Sequence, residues 1–437
     1  MNCDWHQKEL SEIADVIDPH PSHRAPQSVT CGFSFAGIGD IDEYGNINHQ
    51  KARQISEEFV LQQENSYHIN SHTIGYGRVG TVGKVVKLRK QSYRYALSPT
   101  LAVINPKKNI DPYFLFYAIK SQKFFNKVES RMTGTTRPAI GIQLLRTITI
   151  DVPSIEIQKK IGFILSTLDD KIELNKKINQ TLESIAQAMF KSWFVDFDPV
   201  HAKANAQSEV EYDAIAKELG ISREILDLFP SEFEEGELGL IPKGWIYTAL
   251  EEDFNIVMGQ SPNGSSYNLE GKGVPFFQGN ADFGFRFPSI RVYCSEPKRF
   301  AKAGLTLISV RAPVGAINMA YEDCSIGRGL CVVSSKNNLD SYTYYSMLNI
   351  KDYLKTFENN GTVFGSINKK SFNEIPYLKP NQEIITAFEK ISANIDRMIF
   401  LNTSNARTMT KLRDLLLSKL LSGEIDVSNI TLEPEND

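Results

Sequence analysis

The chain has 437 residues, of which 41% are hydrophobic and 10% aromatic, and its formal net charge is −4. This composition predicts two or three globular domains and excludes a disordered or fibrous protein. No run of 18 apolar residues and no signal-peptide pattern occur, so we expect a cytoplasmic protein without a membrane span. The five cysteines lack CxxC spacing, and the seven histidines lack acidic or thiol partners at ligand spacing, so we predict reduced thiols and no metal site.

The charge is distributed unevenly along the chain. Residues 72–146 contain 14 Lys and Arg against 2 Asp and Glu, residues 195–253 contain 4 against 15, and residues 255–379 contain 14 against 9. Solvated protein surfaces also produce charge runs. The contrast between adjacent segments nevertheless favours a first domain that faces a polyanion, in a chain whose total charge is acidic.

Residues 1–152 are predicted to form a first domain of mixed α and β structure. Its elements are the β-type runs 32–35, 79–88, 101–104 and 147–152, and a helix over residues 111–128. Clusters of Gly, Pro, Asn and Asp separate the strands, while an Asp-Pro pair opens the helix.

A glycine-rich segment at residues 75–80 reads GYGRVG and matches G-x-G-x-x-G. The segment that follows continues as a strand and positions 95–105 carry no acidic residue, so we predict no dinucleotide site. A P-loop is excluded because a valine follows Gly83-Lys84. Basic residues interleaved with tyrosines suit phosphate contacts on DNA. The candidate DNA contacts here are Tyr76, Arg78, Lys84, Lys87, Arg89, Lys90 and Arg94.

A second candidate loop spans residues 134–138, with sequence GTTRP. Hydroxyl groups and an arginine on a tight loop can reach a base edge, and arginine most readily reads guanine. A surface turn without a partner is an equally open interpretation. The candidate contacts in this loop are Thr135, Thr136 and Arg137.

Residues 153–195 are predicted to form one long amphipathic helix. Apolar residues recur at alternating spacings of three and four from Ile161, and no proline or glycine follows Phe163 before Phe194. At about 1.5 Å per residue, roughly 40 residues give a rod on the order of 60 Å long, which suits a spacer or a pairing surface. The predicted seam positions are Ile161, Leu168, Asn175, Leu182 and Met189.

Residues 196–240 are predicted to be an acidic, helix-prone connector. Asp196 and Asp198 could form a metal site or an acid/base pair, but no third ligand or base is nearby in the sequence. We therefore favour a helix-ending turn. A second domain is predicted over residues 241–379, where asparagine and glutamine suit adenine and arginine suits guanine. Its candidate contacts are Gln278, Asn280, Arg286, Arg311, Arg328, Thr362, Ser366, Asn368, Lys369 and Lys370.

A second long helix, predicted over residues 380–425, repeats the first at a constant offset of 227 residues. Its seam positions are Phe388, Ile395, Asn402, Met409 and Leu416. The preceding domains repeat more loosely, with Trp5 matching Trp245 and Arg78 matching Arg311. The predicted fold class is therefore α+β, with two mixed domains in tandem, each followed by a long helix, and the matching seams predict that the helices pack on each other. Residues 426–437 are predicted to be an acidic flexible tail.

No catalytic motif is found. Residues 111–114 read DPYF and lack the second proline of an amino-methyltransferase motif, and a helicase P-loop is absent. Residues 169–171 have the D-x-K spacing of some nucleases but lie on the first long helix, where they are better explained as charges on a helix face. We therefore predict no catalytic, cofactor-binding or metal-binding residue in this chain.

The chain resembles a known family in its helices and connector. The residues that carry the resemblance are Pro153, Glu156, Gln158 and the segments LDDKIELNKKINQTL (168–182), WFVDFDP (193–199), IPKGW (241–245) and KLRDLLLSKLLSGEI (411–425). This set resembles the specificity subunit of type I restriction-modification enzymes. By layout the resemblance covers the whole chain.

The resemblance implies two target-recognition domains held apart by an antiparallel coiled-coil pair of helices with pseudo-twofold symmetry. Each domain of such a subunit reads one half of a bipartite, asymmetric site in double-stranded DNA, while the helices set the spacer and dock two modification subunits. The partners bring the chemistry: modification subunits bind S-adenosylmethionine and methylate adenine, and two restriction subunits use ATP and Mg for translocation and cleavage.

The second copy departs from this pattern in two ways. Residues 381–385 read NQEII, so the counterpart of Gln158 is displaced, which puts a docking role for that glutamine in doubt. The second domain is also less basic, which implies weaker phosphate contacts or reliance on partners. The main alternative is a non-enzymatic scaffold whose domains bind protein. Salt-dependent binding to random duplex DNA separates the two hypotheses, and an orphan nuclease or methyltransferase is disfavoured by its missing motifs.

Overall fold

A computed structural model describes residues 5–20, 26–42, 44–134, 136–206, 208–237, 239–358 and 365–432. The chain divides into two compact units. The first unit comprises Met1–Lys176 and Ser404–Asp437, and the second comprises Lys177–Thr403. Each unit therefore contains one domain and one part of each long helix.

The first domain combines short strands and helices that precede a 40-residue helix. Its strands are β1 (His6–Glu9), β2 (Ala14–Ile17), β3 (Phe33–Ala36), β4 (Arg53–Ile55), β5 (Ile74–Gly77), β6 (Val85–Lys87), β7 (Tyr95–Leu97), β8 (Leu101–Pro106) and β9 (Thr149–Val152). The helices are α1 (Leu10–Ile13), α2 (Glu57–Glu64), α3 (Pro112–Lys120), α4 (Gln122–Glu129), α5 (Ile142–Arg146) and the long α6 (Ile155–Phe194), with a 3-10 turn at Ile38–Asp40.

Three helices and a hairpin lead into the second domain. The helices from here on are α7 (Asp198–Asn205), α8 (Glu209–Glu218), α9 (Arg223–Leu228), α10 (Leu250–Asp253), α11 (Asp340–Asn349), α12 (Lys351–Lys355), α13 (Lys369–Asn373) and the long α14 (Gln382–Leu421). The strands are β10 (Phe233–Gly236), β11 (Gly239–Pro242), β12 (Ile246–Ala249), β13 (Phe254–Met258), β14 (Tyr267–Asn268), β15 (Val274–Phe277), β16 (Tyr293–Cys294), β17 (Phe300–Ala301), β18 (Thr306–Ser309), β19 (Ile317–Met319), β20 (Cys324–Ile326), β21 (Leu330–Ser335) and β22 (Pro376–Lys379). Short 3-10 turns lie at Gly264–Ser266, Asn280–Asp282 and Thr356–Glu358.

The two domains share one strand order. The first contains an antiparallel sheet β2-β8-β5-β6, and the second contains its counterpart β13-β21-β18-β19. The parallel pair β3–β7 corresponds to β15–β20, and the antiparallel ribbon β1–β9 corresponds to β12–β22. The internal repeat that the sequence predicted is therefore present in the topology of the domains.

The central strand of each main sheet is buried on both faces. In β8, Ala102 and Ile104 face a core shared with α3, α4 and α6, whereas Leu101 and Val103 face a second core shared with β3 and β7. In β21, alternate residues likewise divide between two cores. Because successive side chains of a strand point to opposite faces, a strand covered on both sides reads as a continuous apolar run.

Each long helix lies close against its own domain. A Cβ atom at Gly162 of α6 would lie 2.4 Å from Asp111 Oδ1, so only glycine allows this approach to the start of α3. Gln158 is 2% exposed and its Oε1 accepts a hydrogen bond of 3.0 Å from Asp111 N. In the second unit, Glu389 serves the same purpose by accepting from the backbone N–H of Tyr342 at 2.7 Å. Gln158 is thus committed to internal structure, which explains how the second copy dispenses with it.

Within each unit, the part of α6 contacts the part of α14. In the first unit, Ile161 and Leu165 share a core with Leu420. In the second unit, the rings of Phe190 and Phe388 lie 5.5 Å apart.

Burial corrects the predicted seam register. Ile161 and Phe388 are buried, as predicted, and the other seam positions are half-buried, namely Leu168, Asn175, Leu182, Met189, Ile395, Asn402, Met409 and Leu416. The alternating spacing of threes and fours also placed Ile164, Ile178 and Ile185 on the apolar face, but Ile178 and Ile185 are 36% and 51% exposed. The buried residues instead lie four positions after each predicted seam residue of α6, namely Leu165, Ile172, Asn179, Ala186 and Trp193. This wider stripe results because α6 packs against its domain as well as against α14.

Asn179, rather than Asn175, is the buried asparagine of α6. Its Nδ2 donates to the carbonyl of Ile399 at 3.2 Å, and its Oδ1 accepts from Asn402 Nδ2 at 3.0 Å. Asn402 therefore takes part in a polar contact between the helices, and its partner is Asn179 rather than Asn175.

The ends of the helices also test the sequence interpretation. Phe197 has a left-handed backbone (φ 57°) between α6 and α7, so residues 196–198 form the predicted helix-ending turn. At the start of the predicted flexible tail, Val427 is 2% exposed and Lys160 Nζ donates to Ser428 O at 2.6 Å, so these two residues are packed against the first unit. Residues 433–437 lie outside the described residues.

We predict that Phe388→Ala lowers the free energy of unfolding by about 3–5 kcal/mol, because it removes a ring at the centre of the second-unit core. Leu401→Ala, on the same helix at a side chain that is 49% exposed, should change it by less than about 0.5 kcal/mol. Urea denaturation followed by circular dichroism measures both. Equal effects of the two substitutions would contradict the packing described here.

Candidate nucleic-acid interface

Two of the predicted DNA contacts in the first domain are buried. Tyr76 is 0% exposed and its ring packs edge-on against Phe124, with centroids 5.8 Å apart. Arg78 is 6% exposed and its Nη2 donates to Asp18 Oδ2 at 2.8 Å. The prediction that these two side chains contact DNA is wrong, because β5 is a core strand and the residue following it is held in an internal ion pair.

Arg286 is the third predicted contact that the structure removes from the surface. Its side chain is 1% exposed, and Nη1 donates to Glu183 Oε2 at 2.6 Å while Nη2 donates to Asp396. The guanidinium carbon lies 3.5 Å from the ring centroid of Tyr344, which is cation–π geometry. Burial by itself lowers the pKa of Arg286, but Tyr344 and Asp396 outweigh it and the pKa lies above the usual value. Arg286 thus joins the second domain to both long helices.

A related cluster occurs in the first unit. Tyr117 Oη donates to Asp169 Oδ2 at 2.6 Å, and Arg413 Nη1 donates to Asp169 Oδ1 at 2.5 Å. Burial alone would raise the pKa of Asp169, but the hydrogen bonds from Tyr117 and Arg413 hold it below the usual value. In the second unit, Tyr345 Oη donates to Asp396 Oδ1 at 3.0 Å. The tyrosine–aspartate pair is therefore repeated, whereas its arginine comes from α14 in one unit and from the domain in the other.

Several basic side chains of the first domain have internal partners. Lys84 Nζ donates to the carbonyls of Ile38 and Ile41 at 2.9 and 2.6 Å. Arg89 lies 3.5 Å from Glu173, and Lys87 Nζ lies 5.6 Å from the ring centroid of Phe116. Lys84 thus holds the loop around Ile38 and Ile41, and Arg89 is paired with a residue of α6. The charged groups of these side chains are less available to DNA than the sequence suggested.

Arg94 is exposed and pairs with Glu57 at 3.1 Å and Glu64 at 3.7 Å. Exposed ion pairs contribute little to stability, typically about 0–1 kcal/mol, so DNA can displace them. Lys90 and Arg137 are also exposed, and neither has an acidic partner within the part of the chain that the structure describes.

The structure brings together the two predicted loops of the first domain. Thr133 and Ala139 exchange backbone hydrogen bonds of 2.9 Å, which closes a hairpin that presents Thr136 and Arg137. Gly80 N donates to Pro138 O at 2.9 Å and so ties this hairpin to the glycine-rich segment. Thr135 lies outside the described residues. The next element after residues 75–80 is strand β6 rather than a helix.

Four candidate residues of the second domain also converge. Val310 N donates to Gly329 O at 2.9 Å, so Arg311 and Arg328 lie close together at the ends of two neighbouring strands. Arg311 also forms an antiparallel β-bridge with Ser366. Gln278 is joined to Arg328 through Ser261, whose Oγ accepts from Arg328 N at 3.2 Å. Ser261 was missed in the sequence, where its only signal is a Gly-Gln-Ser-Pro turn that follows a strand.

The other second-domain candidates lie around this convergence. Asn280 is half-buried in a 3-10 turn, and Asn368 is exposed but caps α13, where its Oδ1 accepts from Ser371 N at 2.9 Å. Lys370 is exposed and lies 3.8 Å from Glu374. Lys369, Arg311 and Arg328 are exposed without an acidic partner among the described residues. Thr362 lies outside the described residues.

A family model described as the type I restriction modification DNA specificity domain matches residues 2–184 and 242–399. The chain belongs to this family. It is 32% identical to the HindI specificity subunit of Haemophilus influenzae, over 97% of this chain and 100% of that one. It is 29% identical to the putative MjaX specificity subunit of Methanocaldococcus jannaschii, over 97% of this chain and 94% of the relative.

A solved type I S subunit from M. genitalium shares the fold, with a TM-score of 0.56, 17% identity and 96% coverage of each chain. The family model and the HindI relative show that the protein is a DNA specificity subunit of a type I restriction-modification system. We call its two domains, both of which the family model matches, the recognition domains. Within the described ranges, no cluster of three His, Cys, Asp or Glu is arranged to hold a metal, and no helix is both long and apolar enough to cross a bilayer.

We predict that Arg286→Met destabilises the specificity subunit by about 3–5 kcal/mol, because it leaves the carboxylates of Glu183 and Asp396 buried without their cation. Arg311→Met, at an exposed arginine, should change stability by less than about 0.5 kcal/mol but reduce the slope of log K for DNA against log salt by about 1. Urea titration and fluorescence anisotropy at several salt concentrations test the pair. If a folded Arg286→Met variant bound DNA with a weaker salt dependence than the unmodified chain, Arg286 would have to contact DNA after all.

Proposed function

We propose that this specificity subunit reads a bipartite, asymmetric DNA site and that each recognition domain contacts one half. The observation that carries the proposal is one fold used twice with unlike residues at equivalent loops. Between β7 and β8 the first domain has Ser98-Pro99-Thr100, and at the equivalent place, between β20 and β21, the second has Gly327-Arg328-Gly329. Ser98 is buried and hydrogen-bonded to Thr100, whereas Arg328 is exposed, so only the second domain presents a guanidinium at this loop. We therefore expect the two halves of the site to differ in sequence.

Exposed cations support the contact with double-stranded DNA. Lys90 and Arg137 in the first domain, and Arg311, Arg328 and Lys369 in the second, lack acidic partners among the described residues. Such groups neutralise phosphates and release counterions, which provides affinity without sequence preference. Of the candidate contacts, two in the first domain and three in the second are such cations, so the lower net charge of the second domain does not require weaker binding.

We further propose that the long helices form an antiparallel coiled-coil pair with pseudo-twofold symmetry. The contacts within the units support this arrangement, because the start of α6 meets the end of α14 in one unit and the reverse holds in the other. A rod on the order of 60 Å spans half-sites about 34–36 Å apart with room for a domain at each end. The helix pair would then set the length of the non-specific spacer.

The outer faces of the helices are proposed to dock two modification subunits. Repeat-equivalent residues are exposed there: Leu174 and Leu401 at 49% each, and Ile185 and Leu412 at 51% and 44%. Two copies of one apolar surface suit two copies of one partner. The chemistry belongs to the partners: modification subunits supply S-adenosylmethionine and methylate adenine, and two restriction subunits supply ATP- and Mg-dependent translocation and cleavage. We place this assembly in the cytoplasm.

Domain exchange tests the division of labour. Replacing residues 1–150 with the first domain of another family member should change one half-site and preserve the other half-site and the spacer. The readout is methyl transfer from labelled S-adenosylmethionine to a random DNA library, followed by sequencing of methylated sites. The purified chain without its modification subunit is the control and should transfer no methyl groups. A changed spacer with both half-sites intact would refute the proposal.

Docking makes a separate prediction about stoichiometry. Ile185→Asp or Leu412→Asp should each remove one modification subunit, because a charge in an apolar interface is not compensated. The double variant should bind none. Val210→Asp, at a connector residue that is 79% exposed, is the matched control. Native mass spectrometry counts the subunits, and two bound subunits in the double variant would exclude this surface.

A further inference from the structure

Three segments of the second recognition domain meet beside its central strands. They are the turn after β13, which contains Ser261, the end of β15 at Gln278, and the link between β20 and β21 at Arg328. Gln260 N donates to Ile326 O at 3.1 Å, and Gly327 N donates to Phe277 O at 2.9 Å. Each segment is thereby fixed by main-chain hydrogen bonds, so side chains placed here are held before any ligand arrives.

Among the described residues, only Ser261 forms hydrogen bonds with the side chain of Gln278. The hydroxyl Oγ of Ser261 lies 2.9 Å from Nε2 and 3.0 Å from Oε1 of Gln278, and it accepts the N–H of Arg328 at 3.2 Å. A carboxamide has two N–H donors and two acceptor lone pairs, and one hydroxyl cannot use all of them. Gln278 is exposed, so at least one N–H and one lone pair stay available to a ligand. Because Ser261 occupies the edge on which Nε2 and Oε1 lie side by side, the remaining N–H and lone pair point away from each other, and each can bond a different polar group of a base.

Two glycines allow Arg328 to lie beside this amide. A Cβ atom at Gly327 would lie 2.5 Å from Gln278 Oε1, and one at Gly329 would lie 2.5 Å from Gln278 O. Neither glycine has a positive φ, so close approach rather than backbone conformation requires them. Both glycines are buried, whereas Arg328 between them is exposed and has no acidic partner among the described residues.

Resting on the proposed function, we propose that Ser261 is a positioning residue for base recognition by the second domain. Its hydroxyl fixes the orientation of the Gln278 amide, so that the remaining N–H donates to an acceptor atom of one base in the second half-site. Arg328 contacts the DNA next to that base. The first domain has Gly37 at the position of Gln278, so this recognition is specific to the second half-site.

The test uses the complete complex with its modification subunits and compares methylated sites recovered from a random DNA library. Ser261→Ala should reduce discrimination at one base pair of the second half-site by roughly tenfold. Gln278→Ala should relax the same pair, and the first half-site should keep its sequence. Ser261→Thr, which retains a hydroxyl, should restore discrimination. Ser265→Ala, at an exposed serine in the adjacent turn, is the matched control and should change nothing.

A purely structural role for Ser261 would lower methylation at every site and leave the sequence profile unchanged, and this result would overturn the inference. Gln278→Ala gives an independent check at an exposed residue if Ser261→Ala folds poorly. A profile that Gln278→Ala leaves unchanged would also overturn the inference. A wild-type complex that methylates a single continuous site would instead refute the bipartite proposal, so the two failures are distinguishable.

Discussion

The attachment of each recognition domain to the long helices is the constraint on which the rest of the structure depends. A buried tyrosine–aspartate pair makes this attachment in both units, through Tyr117 with Asp169 and through Tyr345 with Asp396. A buried carboxylate is tolerated only when charges and hydrogen bonds compensate it, so each aspartate requires a nearby cation. Each arginine must lie within hydrogen-bond distance of its carboxylate, so each domain is fixed in one orientation on the helices of its own unit.

The two units meet this requirement differently, which shows where the repeated design is free to vary. Arg413 of α14 supplies the cation in the first unit, and Arg286 of the recognition domain supplies it in the second. Gln158 and Glu389 likewise perform one task from different helical positions. The central strands keep their apolar runs because both faces are covered, whereas the loops at their ends differ in residue type. A common framework can therefore hold two domains with different recognition loops.

Basic residues of this chain either form internal contacts or remain exposed to ligands, and only their burial distinguishes the two groups. The sequence between residues 72 and 146 is strongly basic, yet Arg78 and Lys84 use their charges inside the first domain. Arg286 does the same in the second. Exposed cations such as Arg137 and Arg328 have no carboxylate neighbour among the described residues, so their charges remain available. Local net charge consequently does not identify which basic side chains are available to a ligand.

The sequence by itself determined the two-copy organisation, the long helices and the family, because apolar periodicity and repeat spacing are local and linear properties. It did not determine which polar residues are buried. Tyr76, Arg78 and Arg286 were read as surface residues, since neither their strand neighbours nor their acidic partners are adjacent in sequence. It also misplaced the buried stripe of α6, because that helix has two packing partners. The meeting of Ser261, Gln278 and Arg328 required the tertiary structure, since strand pairing joins segments tens of residues apart.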